Sequence, residues 1–167
     1  MAIRDILLLG QESLYECSKD ITKEEIERAE KIAEDLQDTM MNFRKKYGFG
    51  RAIAAPQIGA FYRIIYMNVN NQATVFINPK LEFVGDERFE IWDDCMSFPG
   101  LEVKLYRCKK CRISYKDLAW KDCVIEFAGD LAELIQHEYD HLDGILAVQR
   151  AIDQKSFRIN KNKAGCY

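Results

Sequence analysis

The chain contains two histidines, His137 and His141, and their spacing constrains the fold more than any other feature of the sequence. Four apolar residues recur around them at helical intervals: Leu131, Leu134, Ile135 and Leu142. This pattern predicts an α-helix from residue 129 to residue 143. Residues four apart share a helix face, so both imidazoles could bind one divalent metal, with Glu138 in reach of a water molecule on it. The alternative, an exposed polar face, fits the flanking apolar residues poorly.

A hydrolytic metal site needs a third protein ligand, because two histidines leave the coordination incomplete. The most interesting candidate is Cys95, which stands in the stretch W-D-D-C-M-S-F-P-G, where a strand would end in a turn. Taken alone, Cys95 is better explained as a buried thiol, because free cysteine is among the most buried residue types. Its surroundings must therefore decide between the two readings.

Composition limits the class of protein. A chain of 167 residues, 48% of them hydrophobic, without repeats or linkers, predicts one domain spanning residues 1–167. The net charge of -3 argues against a DNA-binding surface. No apolar run is long enough for a membrane span, and the first residues do not resemble a signal peptide. We therefore expect a soluble cytoplasmic protein with reduced thiols and no membrane or DNA partner.

The remaining patterns predict an α+β fold. Thr22, followed by acidic residues, predicts the start of an N-terminal helix that ends at Gly48 after a basic last turn. Strands are predicted at residues 62–69, 74–77, 81–84, 101–105, 112–115 and 123–127, separated by turn signals. Without β-α alternation, they indicate an antiparallel β-sheet meander between the N-terminal helix and the C-terminal H-E-x-x-H helix. Residues 153–167 are expected to form a flexible tail.

Three stretches together resemble the ordered motifs of the peptide deformylase family. They are G-R-A-I-A-A-P-Q-I-G at residues 50–59, D-D-C-M-S-F-P-G at residues 93–100 and H-E-Y-D-H-L-D-G at residues 137–144. Their order and spacing are family-like, and residues 2–6 resemble the usual opening of the family, so the similarity covers essentially the whole chain. The resemblance implies a hydrolase that removes the N-formyl group from nascent polypeptides beginning with formylmethionine.

The resemblance also implies the roles of particular residues. It makes Cys95, His137 and His141 the ligands of one divalent metal, with water in the fourth position, and Glu138 the general acid/base. Gln57 and the backbone N–H of Met96 would stabilise the oxyanion. The family implies Fe²⁺ in the cell, whereas Zn²⁺ or Ni²⁺ could occupy a purified sample. The expected partners are N-formylmethionyl peptides and, transiently, the ribosome, with the protein acting as a monomer.

The sequence departs from the family pattern at positions expected to contact substrate. Gly50-Arg51-Ala52 replaces the usual Gly-x-Gly, and Asp93-Asp94 replaces the usual Glu-Gly before the cysteine. Glu133 shares a helix face with His137, where many members have an apolar or basic residue. These carboxylates predict an unusually negative peptide channel that favours basic peptides over acidic ones.

Two other functions stay open at this point, as does the role of a cysteine pair. One is a metal-dependent amidase or peptidase with another substrate, and the other is a catalytically weak, deformylase-like binding protein. Cys108 and Cys111 form a single C-x-x-C without a second pair or a spare histidine, so we interpret them as two thiols at strand edges.

Overall fold

A computed structural model describes residues 2–163, in which two helices and eight strands form most of the regular structure. The helices are α1 (Ile26–Tyr47) and α2 (Asp130–Leu142). The strands are β1 (Ala52–Ala54), β2 (Ile64–Val69), β3 (Gln72–Phe83), β4 (Arg88–Asp94), β5 (Leu101–Cys108), β6 (Lys110–Lys116), β7 (Asp122–Ala128) and β8 (Phe157–Ile159). Four 3₁₀ turns accompany them: Glu12–Tyr15, Lys23–Glu25, Ala55–Ile58 and Ala147–Arg150. The α+β prediction is confirmed. Within residues 2–163, no helix is long and apolar enough to span a bilayer.

Helix α1 begins and ends close to where its sequence predicts. The Glu25 carboxylate accepts a hydrogen bond from the Thr22 N–H at 3.1 Å, in a 3₁₀ turn that leads into the helix. At the other end, Gly48 takes the left-handed conformation with φ 80°, which a residue without Cβ adopts at no steric cost. The apolar stripe between these ends is buried against the sheet at Ile53 and Ile64.

The strands are all antiparallel but form two sheets rather than one meander. The larger sheet has the order β1-β2-β3-β6-β7, and the smaller has the order β4-β5-β8. The chain leaves the larger sheet after β3, forms the β4–β5 hairpin and returns with β6. The sequence did not predict β1, β4 or β8, and it is their pairing that divides the structure into two sheets.

The turn predicted between residues 77 and 81 is wrong, because β3 runs through it as one strand. Its register against β6 shifts between Ile77 and Lys80, and Asn78 has a positive φ of 49°. The Asn78 side chain accepts a hydrogen bond from the Ile21 N–H and donates one to the Ile21 carbonyl. Because asparagine tolerates positive φ, Asn78 allows the strand to bend here without reversing direction. Its side chain also fixes the N-terminal segment to the strand. The sequence had suggested a chain reversal at this point.

The predicted flexible tail needs a correction for residues 153–163. Strand β8 pairs with β5, and the buried carboxylate of Glu102 binds Arg158 at 2.6 Å and Asn160 at 2.7 Å. These contacts, made with residues distant in the sequence, order a segment that has no regular apolar pattern of its own. Residues 164–167, the rest of the predicted tail, lie outside the described residues.

Helix α2 packs its apolar face against the larger sheet, and this contact fixes the histidines in place. Ala132, Ile135 and Leu142 are fully buried beside Ile65, Phe76 and Ile113 of that sheet. Each large apolar side chain buried there contributes about 1.5–3 kcal/mol. The predicted helix of residues 129–143 is confirmed to within one residue at each end.

Candidate metal centre

Three side-chain donor atoms converge where α2 passes the turn that follows β4. His141 Nε2 lies 3.2 Å from Cys95 Sγ and 3.2 Å from His137 Nε2, and all three residues are buried. A tetrahedral zinc-like ion with usual bond lengths would separate two imidazole nitrogens by roughly 3.4 Å, and nitrogen from sulfur by roughly 3.6 Å. The one-thiolate, two-imidazole donor set therefore could hold a divalent metal, in both chemistry and spacing.

The electrostatics around the histidines differ between the two rings. Burial and His137 lower the pKa of His141 well below its usual value, so this imidazole is neutral and can donate its lone pair. Burial alone would lower the pKa of His137, but Asp93 and Cys95 outweigh it and raise that pKa. A bound cation would displace the proton from His137, because a metal ligand must be deprotonated.

Asp93 lies at the wall of the cavity, but its buried carboxylate faces His137 and Arg107 rather than the peptide path, which corrects the sequence-based assignment. Its Oδ1 lies 2.9 Å from His137 Nδ1, and its Oδ2 accepts a hydrogen bond from the buried Arg107 at 2.9 Å. Burial would raise the pKa of Asp93, yet His137 and Arg107 lower it to about 2. Asp93 is therefore negatively charged at neutral pH, and this charge would orient the imidazole and strengthen it as a metal ligand.

We expect Asp93→Asn to weaken metal binding by about 10-fold to 100-fold, because the amide keeps the shape of the side chain but loses its charge. Competition between the protein and a chelator of known affinity measures this loss. Asp86→Asn, on an exposed loop, is the matched control and should leave metal affinity unchanged. Equal affinity of the Asp93 and Asp86 variants would show that the buried carboxylate does not support the ligand.

Glu138 offers an unpaired carboxylate oxygen beside this cluster. The side chain is buried, and its Oε2 has no hydrogen-bond partner among the described residues. Burial raises the pKa of Glu138 to about 7, although nearby His137 lowers it in part. A divalent cation at the cluster would lower this pKa further. A carboxyl group that can exchange a proton near neutral pH is suited to general acid/base catalysis.

Gln57 is held by the 3₁₀ turn Ala55–Ile58 with its amide group against the same cluster. Its Oε1 accepts a hydrogen bond from the Ala54 N–H at 2.9 Å, which leaves the Nε2 end facing Ser97 at 3.1 Å and Cys95 Sγ at 3.5 Å. Because the Ala54 N–H fixes Oε1, the orientation of the amide is set and Nε2 directs its N–H donors toward the cluster of Cys95, His137 and His141. Gln57 is 1% exposed, so water does not compete strongly for those donors.

The predicted site residues surround a single cavity of about 510 Å³. All of them line it except His141, which lies behind the other ligands and is 1% exposed. The lining residues are Gly50, Arg51, Ala52, Gln57, Asp94, Cys95, Met96, Glu133, His137 and Glu138. Sequence reasoning missed several others: Arg44, Phe49, Asn68, Leu134 and Lys163. Most of these lie on other elements, so no local pattern connects them to the motifs.

The three carboxylates that the sequence assigned to the channel, Asp93, Asp94 and Glu133, each have a basic partner, so the predicted excess of negative charge from them is wrong. Asp94 Oδ2 lies 2.8 Å from Lys163 Nζ, and Glu133 lies 3.7 Å from Arg51, which also contacts Asp130. Burial and the charge of Asp93 raise the pKa of Glu133 to about 7, so this acid is partly neutral at physiological pH. Lys163 lies 69 residues beyond Asp94 in the chain, so no local pattern connects these two residues.

One edge of the larger sheet opens onto the cavity. Strand β1 is the outer strand of that sheet and pairs with β2 alone, and the adjoining residues Gly50, Arg51 and Ala52 line the cavity. At Gly50, φ is 113°, and a Cβ there would lie 3.4 Å from Met96 Sδ. Glycine is therefore required for the backbone conformation at the point where the chain enters the cavity wall. An outer strand with unpaired main-chain groups can bind an extended peptide.

The thiols Cys108 and Cys111 take no part in this site. Both are buried and free, and burial together with Cys108 raises the pKa of Cys111 to about 11. Within residues 2–163, the only histidine, cysteine and acid cluster with metal-binding spacing is Cys95, His137 and His141. The thiol interpretation of the C-x-x-C pair therefore agrees with the structure.

The sequence is similar to known proteins over nearly its whole length. A sequence model of the polypeptide deformylase family matches residues 3–157. The peptide deformylase of Dictyoglomus thermophilum is 33% identical over 152 residues, which cover 91% of this chain and 95% of the relative. That of Carboxydothermus hydrogenoformans is 35% identical over 151 residues, with 90% and 95% covered.

Solved structures show the same fold. The crystal structure of peptide deformylase from Thermotoga maritima superposes with a TM-score of 0.83 at 29% identity, covering 92% of this chain and all of that one (100%). A Met-Ala-Ser-bound class I type b peptide deformylase from Acinetobacter baumannii superposes with a TM-score of 0.80 at 25% identity, covering 89% and 98%. The two-sheet arrangement around the metal-centre helix is therefore shared with these proteins.

Proposed function

The chain belongs to the polypeptide deformylase family, and from this premise we propose how its own residues remove the formyl group from N-formylmethionyl peptides. It is a metal-dependent hydrolase that acts on a linear amide. We assign the metal to Cys95, His137 and His141, and the proton transfer to Glu138. One observation supports this assignment above the others: the three donor atoms converge beside a buried carboxylate with an unpaired oxygen.

In the proposed reaction, Glu138 transfers one proton from the attacking water to the departing amine. When bound, the metal supplies Lewis acidity that favours deprotonation of water near neutral pH and polarises the formyl carbonyl. Glu138 accepts the proton from the water that attacks the formyl carbon and passes it to the departing amine. The C–N bond breaks, and the products are formate and a peptide with a free N-terminus.

Gln57 stabilises the negative charge that develops on the formyl oxygen. Its Nε2 is fixed beside Cys95 by the hydrogen bonds described above, and it needs no rearrangement to donate. We assign a second donor to the backbone N–H of Met96, which follows the cysteine ligand in the chain. One such donor contributes about 3 kcal/mol of transition-state stabilisation.

The peptide binds in our proposal as an added strand along the open edge of β1. The first side chain enters the cavity beside Leu134 and Glu133, and Gly50, Arg51, Ala52 and Asp94 line the path of the main chain. The Met-Ala-Ser complex of the Acinetobacter baumannii relative supports the binding of a methionyl tripeptide to this fold. Main-chain pairing would give affinity without strong sequence selection, which suits a substrate class with variable second residues.

A direct assay tests this function. The metal-loaded protein should release formate from formyl-Met-Ala-Ser and leave an N-acetylated peptide of the same sequence and its internal amide bonds intact. Cleavage of internal bonds would indicate a metallopeptidase instead. Binding of the formyl peptide without turnover, in protein with one metal per chain, would indicate a binding protein.

We further propose Fe²⁺ as the metal in the cell and Zn²⁺ or Ni²⁺ as ions that a purified sample can carry. Because a thiolate-ligated ferrous ion is open to oxidation together with Cys95, aerobic purification should give weak activity. Anaerobic reconstitution with Fe²⁺, or with Ni²⁺ in air, should restore it. Equal kcat/KM of the zinc and ferrous forms in an anaerobic assay would contradict this choice of metal.

The proposed substrate also indicates the compartment in which the protein acts and the partner that it meets there. Nascent chains that begin with formylmethionine emerge from ribosomes, so we propose a cytoplasmic monomer that contacts the ribosome transiently. Co-sedimentation with ribosomes at low ionic strength, and its loss at high ionic strength, would test the contact. Analytical ultracentrifugation would test the monomer.

A further inference from the structure

We propose that Lys163 determines how the peptide channel responds to the charge of its substrate, by neutralising Asp94 at the channel rim. This inference rests on the proposed function, because it concerns the peptide residues that follow formylmethionine. Lys163 belongs to none of the motifs that resemble the family, and it reaches the channel from the far end of the described chain.

The buried carboxylate of Glu102 fixes the segment that carries Lys163. Glu102 Oε2 accepts a hydrogen bond from Arg158 at 2.6 Å, and Glu102 Oε1 accepts one from Asn160 Nδ2 at 2.7 Å. The Asn160 N–H donates to the Gly100 carbonyl at 2.8 Å, and the Lys163 N–H donates to the Asn160 carbonyl at 3.0 Å. These bonds turn the chain after β8 toward the channel and limit where the Lys163 side chain can lie.

Lys163 then bridges two walls of the channel. Its Nζ lies 2.8 Å from Asp94 Oδ2 on one wall and 4.8 Å from the centre of the Phe49 ring on the other. The Lys163 side chain is 26% exposed and that of Asp94 is 34% exposed, so both lie at the boundary between the cavity and solvent. A charged peptide side chain passing this point would meet the pair directly.

In the part of the chain that the structure describes, the other cations of the rim form no ion pair with Asp94. Arg51, another cation of the rim, contacts Asp130 and Glu133. Arg44 donates to the Gly50 and Asn68 carbonyls and forms no ion pair among the described residues. Within residues 2–163, Lys163 is the cation in ion-pair contact with Asp94, and Arg51 acts on Asp94 from a greater distance. Removing Lys163 would leave the Asp94 charge facing the substrate, and removing Asp94 would leave the Lys163 charge there, with Glu102 Oε1 4.0 Å from its Nζ as the remaining acid.

The test is a double-mutant cycle read as a ratio of kcat/KM values. The substrates are formyl-Met-Lys-Ser and formyl-Met-Asp-Ser, with neutral formyl-Met-Ala-Ser as the reference, at low ionic strength. Lys163→Met should shift the ratio of basic to acidic peptide upward by about fivefold, the size expected for a partly exposed charge. Asp94→Asn should shift it downward by a similar factor. The double variant should return to the parent ratio, because both charges are gone.

Two further variants separate charge from structure. Lys163→Arg keeps the charge and should keep the parent ratio, whereas Lys161→Met, on the exposed part of the same segment, should not change it. High salt should reduce each shift. An unchanged ratio in an active Lys163→Met protein would overturn the proposal for Lys163 alone. Failure of the parent protein to deformylate any of the three peptides would instead overturn the proposed function.

Discussion

Cys95→Ser is expected to bind less than a tenth of the metal held by the parent protein and to lose activity on the order of 10³-fold. The physical reason is that a hydroxyl stays protonated where a thiolate would coordinate, so the soft ligand of the set is lost. His137→Ala should behave alike, because it removes one of the two imidazoles that converge on the same point. The Lewis acidity lost with the metal is worth several kcal/mol, which accounts for the size of the effect.

Elemental analysis and formate release measure these two losses on the same samples. Cys17→Ser is the matched control, since it alters an exposed thiol outside the proposed ligand set that makes a weak hydrogen bond to the Asp143 carbonyl at 3.4 Å. Circular dichroism should show that all variants fold. A folded Cys95→Ser or His137→Ala protein with one metal per chain would show that the ligand set is wrong.

Glu138→Gln is expected to keep the metal and lose activity on the order of 10³-fold. The amide has nearly the same shape as the carboxylate, but it cannot accept the proton of the attacking water. The variant also removes a buried carboxyl group whose pKa is raised to about 7 by burial, so it should not destabilise the fold. Loss of activity with retained metal and retained stability would separate proton transfer from metal binding.

The measurements are metal content, thermal unfolding and kcat with saturating formyl-Met-Ala-Ser. Glu126→Gln provides the control, because Glu126 is an exposed acid on β7 that pairs with Arg112 away from the cavity. If Glu138→Gln turned over the formyl peptide at the rate of the control, the acid/base role would have to pass to another group.

Helical periodicity and short motifs carried much of the information about the site. Spacing of four residues on an apolar-flanked helix is a local property, so it predicted the shared face of His137 and His141. The fold was harder, because strand pairing between β4, β5 and β8 depends on residues far apart in sequence. The pairing of Lys163 with Asp94 is of the same kind, and no window of sequence contains both residues.

One error had a local signal that could have prevented it. Polar Arg88 and Glu90 alternate with apolar Phe89 and Ile91 in the sequence, and Asp93 continues the apolar side, which is the more buried side of β4 in the structure. Had this stretch been recognised as a strand, the period of two would have placed Asp93 and Cys95 on the same side of the chain. That placement would have assigned Asp93 to the support of the metal ligands and left Asp94 alone at the channel.

The buried Arg107 links several positions of this chain through ion pairs, so a substitution at one of them affects the others. Arg107 bonds both Asp93 and Asp140, and Asp140 also binds Arg150 through both oxygens. A lineage that lost Arg107 would leave two acids without their buried partner, a change that typically costs about 3–5 kcal/mol. Substitution of Arg107 alone should therefore be costly, so the orientation of His137 depends on an ion-pair chain that extends to Arg150.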